Sequence, residues 1–264
     1  MTPLLSAKIL AKVGIAALPL AALASPLQLG LAEKKASEIP TVTIAARDFS
    51  YRTAGSFTRI NLPVNGPVVH QRLASPLVIM KAQVSAADFE QCVRERACRP
   101  LAQSGPARPD LPAVGVSWED ATAYAKWLSA KTGQTWRLPT DAEWAFAAAS
   151  RFKDDAIEAA DDDFSQRWLA KYEQESERER EADRAPRSIG SYGANENGLL
   201  DVAGNVWEWT DTCFVRQSVD SAGRTVGEPL TNCGVRVVEG QHRTYVSNFI
   251  RDARAGGCSV GAPP

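Results

Sequence analysis

The chain has 264 residues, is 44% hydrophobic and 23% charged, and carries a formal net charge of -1. That length suits a short leader followed by one large domain or two small ones, and the composition is that of a soluble globular protein. So small a net charge excludes nucleic-acid binding driven by bulk electrostatics.

Residues 1–24 read as a secretory signal peptide. Lys8 and Lys12 form a positive start, residues 13–24 are an uncharged apolar run, and Ala22-Leu23-Ala24 is a cleavage site of the A-x-A type. Cleavage there would make Ser25 the mature N-terminus and place the protein in the periplasm. The alternative is an uncleaved anchor, which Pro19, Pro26 and Gln28 weaken as a membrane-spanning helix. Residues 25–41 lack periodicity and read as a linker, and one domain then runs over 42–264.

From Val42 to Met80, short β-prone runs alternate with turn residues. Thr41 to Ile44, Phe57 to Ile60 and Leu77 to Met80 are the strand candidates. Three helices follow, each announced by a hydroxyl with an acid three residues on: Ser85 with Asp88, Ser117 with Asp120, and Thr140 with Glu143. The last is a full capping box and the two Asp pairs are weaker variants of it. Phe89 and Val93 mark the inner face of the first helix. Trp118, Ala121, Ala125 and Leu128 mark that of the second, and Trp144, Ala147 and Ala148 that of the third. Gly133 is placed to end the second helix.

Residues 154–187 form a densely charged insertion. Phe164, Trp168, Leu169 and Tyr172 are spaced to anchor a short amphipathic helix by one edge, with a solvated charge run behind it. Gly190, Gly193, Asn195, Asn197 and Gly198 then imply a tight irregular path. Beyond residue 209, Val235 to Val238 is the clearest strand, followed by His242 to Tyr245 and Phe249 to Arg251.

Between these lies Asp201-Val202-Ala203-Gly204-Asn205-Val206-Trp207-Glu208-Trp209. Two carboxylates flank a Gly-Asn turn, which can also aim backbone carbonyls inward. That is the oxygen-rich surrounding of a Ca²⁺ ion. A purely structural turn with locally paired acids fits the same residues, and the EF-hand pattern is absent.

Five cysteines follow the leader. Cys92 and Cys98 could staple a helix end to its loop, and Cys213 and Cys233 could close a polar excursion, leaving Cys258 over. Spacing does not fix this connectivity.

Three ordered motifs carry a family resemblance: Val116-Ser117-Trp118-Glu119-Asp120-Ala121 with Tyr124 and Trp127; Arg137-Leu138-Pro139-Thr140 with Ala142-Glu143-Trp144; and Asn197-Gly198-Leu199 with Asp201 and Gly204 to Trp209. Together they resemble the formylglycine-generating enzyme, or sulfatase-modifying factor, family. The resemblance implies an α+β variant of the C-type-lectin fold, with a small antiparallel sheet, helices and much irregular backbone. It implies a structural Ca²⁺ held by the Asp201 and Glu208 side chains and the Gly204 and Val206 carbonyls. A second Ca²⁺ site of the family would fall in the charged insertion, where its ligands have no match.

Oxidase members of the family bind copper through two nearby cysteines and convert a substrate cysteine to formylglycine. Soft thiolates suit Cu(I). Here the matching strand is Val237-Val238-Glu239-Gly240-Gln241, and no cysteine lies between Cys233 and Cys258. The iron branch uses a histidine cluster, whereas this chain has only His70 and His242. Neither copper nor iron is expected. The charged insertion and the surroundings of Cys213 and Cys258 are similar to exported bacterial members, including the accessory protein encoded beside copper nitrite reductase. The resulting expectation is an exported accessory or maturation factor for a protein or peptide partner. The alternative is a metal-dependent oxidoreductase, and the catalytic residues are unassigned. The family's substrate face would fall on Trp207 and residues 242–254. Arg243, Arg251 and Arg254 could clamp an anion there beside His242, Tyr245 and Asn248, unless these arginines pair with local acids such as Glu239 or Asp252.

Overall fold

The computed structural model describes residues 5–6, 8, 10–12, 39–101, 108–157, 163–181 and 185–251. In chain order the strands and helices are β1 (Leu5–Ser6), β2 (Leu10–Lys12), β3 (Thr41–Ile44), β4 (Asp48–Arg52), β5 (Ser56–Arg59), β6 (Leu62–Val64), β7 (Val68–Arg72) and β8 (Leu77–Met80), then α1 (Ala86–Arg94) and α2 (Trp118–Thr132). They continue with β9 (Thr135–Arg137), α3 (Asp141–Ala148), α4 (Phe164–Glu181), β10 (Trp207–Val219), β11 (Thr225–Glu239) and β12 (Thr244–Ser247).

The three hydroxyl caps start α1, α2 and α3. Ser85, Ser117 and Thr140 each accept from the backbone N–H three residues on. The Asp variant at Ser117 proves as complete as the Glu one. Asp120 reaches back to the Ser117 N–H at 2.9 Å, just as Glu143 reaches that of Thr140 at 2.8 Å. Asp120 is buried together with its cap. Gly133 ends α2 in the left-handed region at φ 70°, where a residue without Cβ meets no steric penalty.

The largest sheet runs β12-β11-β10-β5-β6, with β1 parallel to the start of β10. A second sheet runs β3-β8-β2-β9, and β4 pairs with β7. β10 and β11 form a long hairpin that the Cys213–Cys233 disulfide crosses midway, and Cys92–Cys98 ties the end of α1 to its loop. Both candidate pairings are thus present, and Cys258 lies outside the described residues.

The main core lies between α1, α2 and the large sheet, where Phe89, Tyr124, Trp127 and Leu128 meet Trp207, Trp209, Val238 and Val246. A second core wraps α3, with Trp144, Phe146, Ala147 and Ala148 against Ile44, Leu77, Ile79, Leu199 and Val202. α3 is therefore buried nearly all round rather than on one stripe. The expected aromatic faces of α2 and α3 do serve as core packing.

Several boundaries differ from expectation. Ile60 leaves its strand and forms a hairpin turn with Asn61, at φ 51° and 64°. β3 begins at Thr41, one residue before the expected domain start. Residues 249–251 form no strand. The charged insertion does form a helix, α4, but Trp168, Leu169 and Tyr172 do not anchor it. Trp168, Leu169 and Tyr172 are 58%, 45% and 60% exposed. The docking edge is polar: Arg167 reaches Asn65 at 2.8 Å and Gln174 donates to the Ala156 carbonyl at 3.0 Å. The side chain of Phe164 lies outside the described set. The stretch read as a leader supplies β1, β2 and the buried Lys8. Among the described residues no helix is long and apolar enough to cross a membrane.

Candidate functional site

The path into the central stretch is held by side chains that replace backbone pairing. Asn195 donates to the Ala147 carbonyl at the end of α3 and accepts from the Asn197 and Leu199 N–H groups. Asn205 exchanges two hydrogen bonds with the backbone of Arg187. Asp201, Ala203 and Asn205 all take positive φ, at 56°, 58° and 62°. Each such residue carries local strain that its surroundings must offset. Asp201 provides part of that compensation, because its two carboxylate oxygens accept from the Gly190 and Tyr192 N–H groups.

Glu208 enters the fold at the start of β10 and is fully buried. Its Oε2 accepts from the Trp144 indole at 2.9 Å and its Oε1 from the Gln83 amide at 2.9 Å. The same Gln83 nitrogen donates to the Gly204 carbonyl at 3.3 Å. Gln83 therefore joins two of the four expected metal ligands. The Lys8 ammonium lies 3.6 Å from Glu208 Oε1 and donates to the Leu200 carbonyl at 3.5 Å. Burial pulls the Lys8 pKa down, against the opposing pull of Glu208 and then Asp201.

The donor set suits a hard cation, with two carboxylates and backbone carbonyls. Gln83 Oε1 is buried beside them without a hydrogen-bond partner, and such an orphan asks for a missing donor or cation. The Gly204 carbonyl is the least available ligand, since it also accepts from the Val206 N–H at 2.7 Å. Among the described residues no three His, Cys, Asp or Glu side chains gather within metal-binding reach. A cation here would accordingly rest on Asp201, Glu208 and neutral oxygens.

The expected substrate face is divided by the fold. Trp207 and His242 come together edge to face, with ring centroids 5.3 Å apart, and Trp207 is buried while His242 is half-buried. Arg243 is corrected: it is 2% exposed and is no free anion clamp. Its Nε donates to Glu239 at 2.8 Å, and its two other nitrogens reach Asp155, Asp141 and the Arg52 carbonyl. Burial opposes the charge of Arg243, but Glu239, Asp141 and Asp155 hold its pKa well above the usual value. Burial likewise pushes Glu239 up, with Arg243 opposing and Asp141 reinforcing. Tyr245 is buried in the same cluster and donates to Asp155 at 2.6 Å. Arg251 is committed to Asp120 through two bonds of 2.7 and 2.8 Å. Asn248 is half-buried, beside the 60% exposed Phe249. Arg254 and Asp252 lie outside the described residues.

Sequence reading missed Lys8, Gln83 and Trp144 as partners of Glu208. Gln83 and Trp144 lie 125 and 64 residues from it along the chain, and no local pattern marks such contacts.

This arrangement, in which short curled sheets and a few capped helices carry an irregular acidic loop, is an α+β fold of the C-type-lectin-like kind. It is similar to that of PvdO from Pseudomonas aeruginosa, with a TM-score of 0.54 at 21% identity over 81% of this chain and 90% of that one. Residues 29–264 match the sulfatase-modifying factor enzyme 1-like domain, and the chain belongs to that family. It is 37% identical over 114 residues to the formylglycine-generating enzyme of Streptomyces coelicolor, covering 40% of this chain and 34% of that protein. It is 33% identical over 109 residues to the inactive C-alpha-formylglycine-generating enzyme 2 of Mus musculus, covering 40% and 33%. The match spans about a third of the length of these curated relatives.

Proposed function

We propose that this protein is an exported accessory or maturation factor that engages a protein or peptide partner without copper–thiolate oxidase chemistry. One observation carries the reading: no cysteine lies between Cys233 and Cys258, and Cys233 is already bound to Cys213. The family's copper chemistry needs two neighbouring thiolates, and a disulfide sulfur offers none. A relative named as inactive, at 33% identity, is compatible with a non-oxidase role. In this reading Ca²⁺ would be held by Asp201, Glu208 and the Gly204 and Val206 carbonyls. It would supply charge neutralisation, tying the strained loop to the start of β10. The partner would meet the face carrying His242, Asn248 and Phe249.

The test is elemental mass spectrometry of the purified protein beside Asp201→Ala, followed by aldehyde trapping on a cysteine peptide incubated with the protein, copper and O₂. We expect calcium near one per chain, lost in the variant, with no stoichiometric copper or iron and no aldehyde. Stoichiometric redox metal or aldehyde would turn the reading to the oxidoreductase alternative, which likeness to formylglycine-generating enzymes favours. A photo-crosslinker at position 249, used in the exporting cell, tests the partner. A discrete cross-linked protein is expected, and its absence at both 249 and 242 would sink the docking face.

A further inference from the structure

The Asp201–Glu208 locus brings two fully buried carboxylates together with one fully buried ammonium. One ammonium against two carboxylates leaves one buried negative charge unbalanced, which is costly away from water. The ammonium is also poorly bonded. Its contacts to the Leu200 carbonyl and Glu208 Oε1 are 3.5 and 3.6 Å, well beyond the roughly 2.7–2.9 Å of a good charge-assisted bond. Gln83 Oε1, buried nearby, accepts from nothing. A doubly charged ion that takes several oxygens would answer both the charge deficit and the idle acceptor.

Lys8 reaches the locus between two short strands, β1 alongside β10 and β2 between β8 and β9. β1 has two residues, β2 has three, and β1 pairs directly with Trp207 and Glu208. Strands this short contribute few ladder bonds and belong to the least stable part of a fold.

We propose that, in the chain that still carries residues 1–24, the Lys8 ammonium and a divalent cation compete for this one locus, so that Ca²⁺ enters as the leader-borne strands β1 and β2 leave the sheets. The inference rests on the reading of Asp201 and Glu208 as cation ligands. Lys8 then acts as a placeholder. It keeps the two carboxylates partly neutralised while the N-terminal segment is in place and gives way to the metal when that segment departs. With Lys8 gone, a half-turn of the Gln83 amide would set its oxygen among those of Glu208 and Gly204, turning a donor into a further ligand.

The experiment uses the full chain. In its first arm, limited trypsin digestion follows cleavage after Lys12 in EDTA and in excess CaCl₂. Ca²⁺ is expected to speed release of the N-terminal peptide by about tenfold or more, by mass action on the open form. In the second arm, Ca²⁺ affinity is measured by chelator competition for the unaltered chain and for Lys8→Met. The variant is expected to bind about tenfold tighter or better, and its melting temperature should fall in EDTA and recover in CaCl₂. Equal affinities with unchanged cleavage would overturn the competition and leave the Ca²⁺ site standing. No Ca²⁺ uptake by either chain would overturn the site itself, and the competition with it. Should Lys8→Met fail to fold, the cleavage arm on the unaltered chain decides.

Discussion

Gly240 lies so close to Trp207 that a Cβ at this position would stand 2.4 Å from the indole Cδ1. Trp207 is buried between the main core and His242, so its ring has little room to retreat. Gly240 follows Glu239 at the end of β11, and the contact sets how closely that end can approach β10. Gly240→Ala should destabilise the fold by about 1–3 kcal/mol, the usual cost of overpacking. Urea unfolding measures it. The loss should shrink in a Trp207→Leu background, and an undiminished loss there would show that the contact is not the cause.

Glu239 gives the fold an alkaline weakness. Burial holds its carboxyl well above the usual value, with Arg243 opposing and Asp141 reinforcing. A raised folded-state pKa means that the stabilising contribution is complete below the unfolded value and is lost as pH rises toward the folded one. Stability should therefore decline above about pH 4.5, by up to about 1.4 kcal/mol per pH unit for this one group. Glu239→Gln keeps a neutral group that can still accept from Arg243. Thermal melts from pH 5 to 9, at roughly unit intervals, should be flatter for the variant, and matching slopes would show Glu239 ionised in the fold.

Asp120 has the opposite sign. Burial works to raise its pKa, but Arg251 and the Ser117 cap outweigh it and hold the carboxyl below its usual value. The contribution is then present above the unfolded pKa and is lost as pH falls through the folded one. Asp120→Asn should lower stability at neutral pH by about 1–3 kcal/mol, through loss of the cap and of charge-assisted bonds. It should also flatten the acid limb of the stability curve. An unchanged acid limb would assign acid unfolding to other carboxylates.

The two disulfides close loops of different length. Their cysteines are separated by 20 residues at Cys213–Cys233 and by 6 at Cys92–Cys98. Loop entropy predicts that the Cys213→Ser, Cys233→Ser pair costs about 3 kcal/mol and the Cys92→Ser, Cys98→Ser pair about 2 kcal/mol. Chemical denaturation of the two double variants tests the order. A reversed order would show that the buried sulfur packing of Cys92, which is fully enclosed, outweighs loop length.

Features written in local spacing were legible in the chain. The hydroxyl–acid pairs started three helices, Gly133 ended one, and Leu77 to Met80 and Val235 to Val238 lie in strands. The charge-rich insertion misled at one point, because helical spacing of Trp168, Leu169 and Tyr172 says that they share a face but not whether a neighbour covers it. Among the described residues these three stay largely exposed, and Arg167 and Gln174 dock the helix instead.

The arginines show the same limit in the site. Arg243 and Arg251 look alike in sequence, each near acids and aromatics. Folding draws Arg243 into a buried cluster with Asp141 and Asp155, which lie 102 and 88 residues away, and sets Arg251 on Asp120 at the rim. Family, fold class and the position of the acidic loop were determined by the sequence itself, since they rest on motifs a few residues long. The partners of each charge were decided only by the tertiary structure, because burial and pairing depend on which distant segments share the interior. Lys8 is the clearest case: alone it is one charge in a leader-like stretch, and only packing sets it between Leu200 and Glu208.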